Sequence, residues 1–162
     1  MKQFFKKKEG SLIIESLVAS SLVIVGLLGL FRLMYVSALK SQEAVHRLQA
    51  VYLASEGIEV VKNIIDNNLV TNSYFNSNLF QSNQYLSYDS TTVVPANSII
   101  YFNNGIFDPN LSQGRSRTLF LRNIEINSDN TTVSVTSTVS WVENNGQSNQ
   151  VVLSDKFYNW RK

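Results

Sequence analysis

Residues Ser11 to Phe31 read SLIIESLVASSLVIVGLLGLF, 21 residues with a single charge, Glu15. As a helix rising about 1.5 Å per residue, this segment covers roughly 30 Å, the thickness of a bilayer's hydrocarbon core. Lys2, Lys6, Lys7 and Lys8 precede it. The positive-inside rule therefore keeps the N-terminus cytoplasmic and sends the chain beyond Phe31 outward, despite Arg32 and Lys40 on the far side. A secretory signal would share the basic start, but its apolar stretch is shorter and is followed by a cleavage region. Here no proline or turn cluster comes next, and the helical pattern continues. A plain signal anchor accounts for everything except Glu15. A carboxylate at that depth costs several kcal/mol unless neutralised or paired, which marks Glu15 as a candidate functional residue.

Composition narrows the remaining choices. The chain has no cysteine and one histidine, His46. Disulfides, thiolate metal sites and a cysteine nucleophile are excluded, and His-based acid–base chemistry has little to work with. The net charge of +2 is concentrated at the start; without the first ten residues the balance turns slightly negative. A basic nucleic-acid-binding domain is not indicated. Asn, Ser and Thr number 47 against 26 charged residues. That neutral, hydrogen-bonding surface suits an exposed extracellular module better than a cytosolic enzyme.

The run Lys6-Lys7-Lys8-Glu9-Gly10, then SLIIE, then an uncharged helix, resembles the class III leader of type IV prepilins and pseudopilins. The resemblance implies a prepilin peptidase that cuts between Gly10 and Ser11 and methylates the new N-terminus. Small Gly10 would precede an extended, accessible scissile segment. Glu15 is then the fifth mature residue, where the family carries its assembly glutamate. Ser11 stands where the family usually has an aromatic residue, and no proline occurs about twenty residues into the mature chain. "ESLVA" with "GLLGL" resembles the V- and I-type minor pilins more than the typical major subunit.

Between Phe31 and Asp66 the only helix breaker is Gly57. Val45, Leu48, Tyr52, Ile58, Val61 and Ile65 follow helical spacing as one apolar stripe, and Glu43/Arg47 and Glu59/Asn63 lie on other faces. The cluster Asp66-Asn67-Asn68 predicts the helix end. A single helix from about Ser11 to Asp66 results, apolar all round in its first half and amphipathic in its second. The stretch LASEGIEVVKNI strengthens the pilin resemblance. His46 falls among these residues as a packed or solvated histidine.

Residues 67–116 are rich in Asn and Ser, with aromatics at Tyr74, Phe75, Phe80, Tyr85, Tyr88, Tyr101, Phe102 and Phe107. Short strands are predicted near Gln84–Tyr88 and Ser98–Phe102. The aromatics are read mainly as core covering the helix, with a sugar-binding or adhesive surface as the alternative. Past Arg117 the period becomes two. Thr118–Asn127, Thr132–Glu143 and Gln150–Asn159 are strand candidates. Leu119, Leu121, Ile124 and Ile126 alternate imperfectly, which predicts a bulge near Asn123. Asp129-Asn130 and Asn144-Asn145-Gly146 supply turns between them.

No G-x-G-x-x-G, Walker, H-E-x-x-H, G-x-S-x-G or EF-hand motif is present. Asp66, Asp108 and Asp129 read as turn residues rather than calcium ligands. Arg115, Arg117 and Arg122 read as a solvated face rather than a row of DNA phosphate contacts, the weaker alternative. The sequons at Asn110 and Asn130 arise easily in so Asn-rich a chain.

The expectation is therefore an α+β subunit without catalytic residues, metal or cofactor. Its parts are a leader (1–10), a transmembrane and filament-core helix (11–35), an amphipathic half (36–66) and an antiparallel β-domain (67–162). The resemblance implies assembly into a type IV pilus or pilus-like filament, with other pilin subunits, the peptidase, an assembly platform and membrane lipid as partners. It also implies the cytoplasmic membrane before assembly, and a surface pilus or a periplasmic or cell-wall pseudopilus after it. The alternative is a single-pass anchored surface domain that binds a ligand and does not polymerise.

Overall fold

One uninterrupted helix, α1, runs from Lys6 to Val70. The computed structural model describes residues 6–71, 73–77, 79, 82–84, 99–103, 106–108, 116–143 and 145–160, with backbone alone at 6–10, 82–84, 103 and 108. The chain divides into two compact units, Met1–Ala44 and Val45–Lys162.

In the first unit the helix presents apolar side chains on every side, from Leu12 to Leu39, all exposed. It is long and apolar enough to cross a membrane. Straight-chain and aliphatic residues without a proline keep it continuous, and Gly26 and Gly29 meet no neighbouring atoms.

The second unit is the α+β part. The helix from Val45 to Val70 packs on one antiparallel sheet of β1 (Ser82–Gln84), β2 (Ile99–Asn103), β3 (Ile106–Asp108), β4 (Ser116–Ser128), β5 (Thr132–Val142) and β6 (Ser148–Tyr158). The order is β3-β2-β4-β5-β6, and β1 pairs with β4. Along that same edge of β4, Ile99 faces Leu121 while Ser82 faces Ile126, so β2 and β1 share it end to end. The strand candidates after Arg117 agree with β4, β5 and β6 to within two residues. Of the strand expected near Gln84–Tyr88, Gln84 falls in β1 and residues 85–88 lie outside the described ones.

Three expectations need correction. The helix does not end at Asp66: Asn68 is buried and its Nδ2 donates to the Ser77 carbonyl oxygen at 2.6 Å, so helix continues to Val70. The apolar stripe is also displaced. Val45, Leu48 and Tyr52 face away from the sheet, Tyr52 being 68% exposed, whereas Ala50, Leu53, Ala54, Gly57, Val60, Val61, Ile64 and Ile65 face it. Small residues hold the inward positions in the first turns because backbone and sheet approach closely there. A methyl group on Gly57 would come within 2.8 Å of Ile124 Cδ1 and 3.0 Å of Ser137 Oγ.

The third correction concerns β4. Its pairing with β5 is regular from Leu121↔Ser140 to Ser128↔Val133, with no bulge at Asn123. The inward residues are Phe120, Arg122, Ile124 and Ile126, and Leu119 and Leu121 face out. An inward arginine, not an extra residue, broke the hydrophobic alternation. The irregularity lies elsewhere, between Ile99 and Tyr101 on the β2 side.

The core forms two apolar clusters. Val60, Val61, Ile64 and Ile65 pack with Phe75, Leu79, Ile124, Ile126, Val133 and Val135. Ala50, Leu53 and Ala54 pack with Ile100, Phe120, Val139 and Trp141. Each buried aliphatic or aromatic side chain contributes about 1.5–3 kcal/mol of transfer free energy. Of the aromatics expected as core in 67–116, Phe75 is buried and Tyr101 and Phe107 are half-buried, but Tyr74 and Phe102 are exposed. Phe80, Tyr85 and Tyr88 lie outside the described residues.

The first predicted turn forms, and of the second Asn145 and Gly146 are described, Asn144 lying outside the described residues. Asp129 N donates to Thr132 O at 2.8 Å, and Asp129 Oδ1 accepts from the backbone N–H groups of Thr131 and Thr132, each at 2.7 Å. Gly146 adopts φ 81°, a left-handed conformation that glycine enters without a Cβ penalty, and its N–H donates to Glu143 O.

Candidate functional site

The residues singled out by the leader pattern all fall on α1. Gly10 and Ser11 are helical, where an extended scissile segment was expected. Lysine and glutamate are good helix formers, and a single glycine costs only about 1 kcal/mol relative to alanine, so the helix runs through the junction. A peptidase cutting there would have to unwind the first turns.

Four residues beyond Ser11, Glu15 projects from the helix as an exposed side chain with no hydrogen-bond or ionic partner among the described residues. Its polar neighbours are different. Ser16, Ser20 and Ser21 donate their hydroxyls to the carbonyl oxygens of Ile13, Leu17 and Val18 at 2.9, 3.0 and 2.7 Å. Back-bonding of this kind removes a hydroxyl's demand for water. The serines are thus compatible with an apolar surrounding by themselves. Glu15 is not: in hydrocarbon it needs a proton or a cation supplied from elsewhere.

Within the second unit, polar contacts tie the helix to the sheet side at two places and to the segment after the helix at a third. At the β5–β6 turn, His46 Nδ1 lies 3.0 and 3.2 Å from the two carboxylate oxygens of Glu143, and Trp141 Nε1 donates to Glu143 Oε1 at 2.8 Å. The hydrogen bond from His46, with that from Trp141 behind it, holds the Glu143 carboxyl below the ordinary glutamate value. His46 also meets Phe120 edge-on at 6.3 Å. Its place among the helix residues was legible; its partner 97 residues away was not.

Midway along the interface, Arg122 is 2% exposed and donates from Nη1 to the Leu53 carbonyl oxygen at 2.9 Å, with Glu56 Oε2 at 3.5 Å. Arg122 therefore leaves the expected solvated arginine face. Arg117 is exposed, and Arg115 lies outside the described residues. The third contact is Asn68 to Ser77 at the helix end. Sequence reasoning missed this interface, although Ala50, Ala54 and Gly57, spaced at one and two turns, were the available signal for close helix–sheet approach.

Comparison with protein-family models, curated proteins and solved structures returns no match. What the chain does must be argued from its own residues. Among the described residues no three His, Cys, Asp or Glu side chains gather as metal ligands. The features that stand out are a surface-apolar helix with one unpartnered carboxylate and a polar-pinned helix–sheet interface.

Proposed function

We propose that this chain is a structural subunit of a type IV pilus or pilus-like filament, cleaved after Gly10 and assembled through its N-terminal helix. The observation that carries the reading is the single helix α1. Its Ser11–Phe31 stretch exposes apolar side chains all round with Glu15 as its one charge, and its Val45–Val70 stretch seats a sheet. An anchor needs only the apolar length; it has no use for Glu15 at membrane depth. A filament does. After cleavage the Ser11 amine, with a reference pKa of about 7.7–8.0, is mostly protonated near neutral pH. A neighbouring subunit's amine would pair with Glu15 and set the axial register, and a paired charge costs far less in a low dielectric than an isolated one. In this reading the N-terminus faces the cytoplasm before assembly, and the partners are other pilin subunits, a prepilin peptidase, an assembly platform and lipid. The chain has no catalytic role.

Mass spectrometry of the membrane-extracted protein tests the reading directly. The expected N-terminus is Ser11, and Gly10→Val should leave the precursor uncut. Mature subunit of normal size from Gly10→Val would remove the basis for the prepilin assignment and leave the anchored, non-polymerising surface domain as the better account.

A further inference from the structure

At the end of the sheet that packs on the last turns of α1, the β4–β5 turn and the edge strand β6 line a shallow, solvent-open cavity of about 230 Å³. Asn127, Ser128, Asp129, Thr132, Ser134 and Lys156 line it. Cross-strand register explains why they converge: Asn127 faces Ser134, Ser134 faces Lys156, and Thr132 faces Tyr158. On β5 the alternate residues Val133 and Val135 are buried, so Thr132 and Ser134 point to the outer face of the sheet. Tyr158, 64% exposed, stands on that face beside Lys156.

The chemistry of the lining restricts the occupant. All six side chains are polar, so an apolar ligand gains nothing. One carboxylate and one ammonium share the cavity, which disfavours a simple anion or cation. Asp129 commits Oδ1 to three donors, the N–H groups of Thr131 and Thr132 and the Thr131 hydroxyl, and these hold the acid ionised. Its second oxygen, Oδ2, accepts no hydrogen bond among the described residues. The Lys156 ammonium feels the Asp129 charge but forms no ion pair among them. An acceptor and a donor thus line one space together with hydroxyl and amide groups. A ligand that fits must donate to one and accept from the other. Vicinal hydroxyls on a ring do both. The cavity is smaller than the roughly 300–1,000 Å³ of usual small-molecule sites, which suits one sugar ring rather than an oligomer. The exposed Tyr158 ring adds a π-face of negative potential against which the C–H face of a pyranose stacks.

We propose that this cavity is a saccharide-binding site. It takes one pyranose ring against Asp129 and Lys156, with the exposed Tyr158, cross-strand neighbour of Thr132, as a stacking surface beside the lining. None of these residues lies on α1.

The test is saturation-transfer NMR on the full chain in polyoxyethylene micelles, which carry no sugar headgroup. The probes are methyl β-galactoside, methyl α-mannoside and methyl N-acetylglucosaminide, with glycine betaine as a zwitterionic comparison. At least one glycoside should bind in the millimolar range. Asp129→Asn keeps an oxygen for the turn and should weaken binding about tenfold, which is about 1.4 kcal/mol. Tyr158→Ser should weaken it to a similar degree, while Tyr74→Ser, altering an exposed aromatic that belongs to none of the strands forming the cavity, should leave it unchanged. Transfer from none of the glycosides, transfer from betaine alone, or equal glycoside binding by wild type, Asp129→Asn and Tyr158→Ser would each overturn the proposal.

Discussion

Gly57 and Ile124 are so close across the helix–sheet interface that a methyl group on the glycine would sit 2.8 Å from Ile124 Cδ1. Ile124 could yield by rotating its terminal carbon, but Ser137 Oγ at 3.0 Å and Arg122 Cδ at 3.4 Å crowd the same point from other sides. Alanine would gain about 1 kcal/mol in helix propensity and lose a similar amount to this crowding. Gly57→Ala should therefore be close to neutral. Gly57→Val adds two more carbons with nowhere to go and should destabilise by about 2–3 kcal/mol, read as a lower urea midpoint of the sheet signal.

Arg122 offers a sharper test, because the sign depends on what replaces it. Its guanidinium is buried against the Leu53 carbonyl and Glu56. Arg122→Ala removes packing and hydrogen bonds together and should cost about 3 kcal/mol or more. Arg122→Met fills much of the space without bringing a charge inside, and such exchanges of buried ions for apolar groups are often neutral. Equilibrium denaturation should place Met within about 1.5 kcal/mol of wild type, well above Ala.

Glu143 predicts how the domain responds to acid. Its carboxyl is held below its ordinary value by the hydrogen bonds from His46 and Trp141. A carboxylate depressed in the folded state adds stability that is fully present above its unfolded value, near 4.5, and is lost as pH falls through the folded value. Unfolding midpoints of wild type should fall on acidification below that point, and Glu143→Gln should fall less steeply over the same interval. Asp129, depressed by the turn N–H groups, acts in the same direction, so the slope is reduced in the variant and not abolished.

Glu15 tests the filament reading. Glu15→Leu removes the unpartnered charge and should insert into the membrane and be cleaved, yet enter sheared, pelleted filaments poorly. Glu15→Asp keeps the charge with less reach and should fall between. Incorporation of Glu15→Leu at the wild-type level would rule out the carboxylate as the docking group.

Much of this architecture is written in periodicity. Val133, Val135, Val139 and Trp141 alternate with Thr and Ser, and they are the inward face of β5 as the pattern requires. The helix was legible from its lack of breakers. The errors share one cause: pattern reading assigns faces by side-chain polarity, whereas distance between elements can overrule it. Ala50, Ala54 and Gly57 face the sheet because they are small, which turns Val45, Leu48 and Tyr52 outward. Arg122 lies inside because a helix carbonyl and a carboxylate are there to receive it. The site on the β4–β5 turn was hidden for a different reason, since Asp129, Ser134 and Lys156 converge only through strand register.

Arg122, Gly57 and Ser137 form a tightly spaced waist between the two apolar clusters, and Ser137 Oγ is buried with no hydrogen-bond partner among the described residues. The buried apolar side chains are consequently divided between the two ends of the interface. Local opening tracks the density of buried apolar contact. Amide protons around Ala50–Ala54 and around Val60–Ile65 should then exchange as two separately timed groups, and the first turns of the packed helix can lift from Trp141 while the far end stays closed.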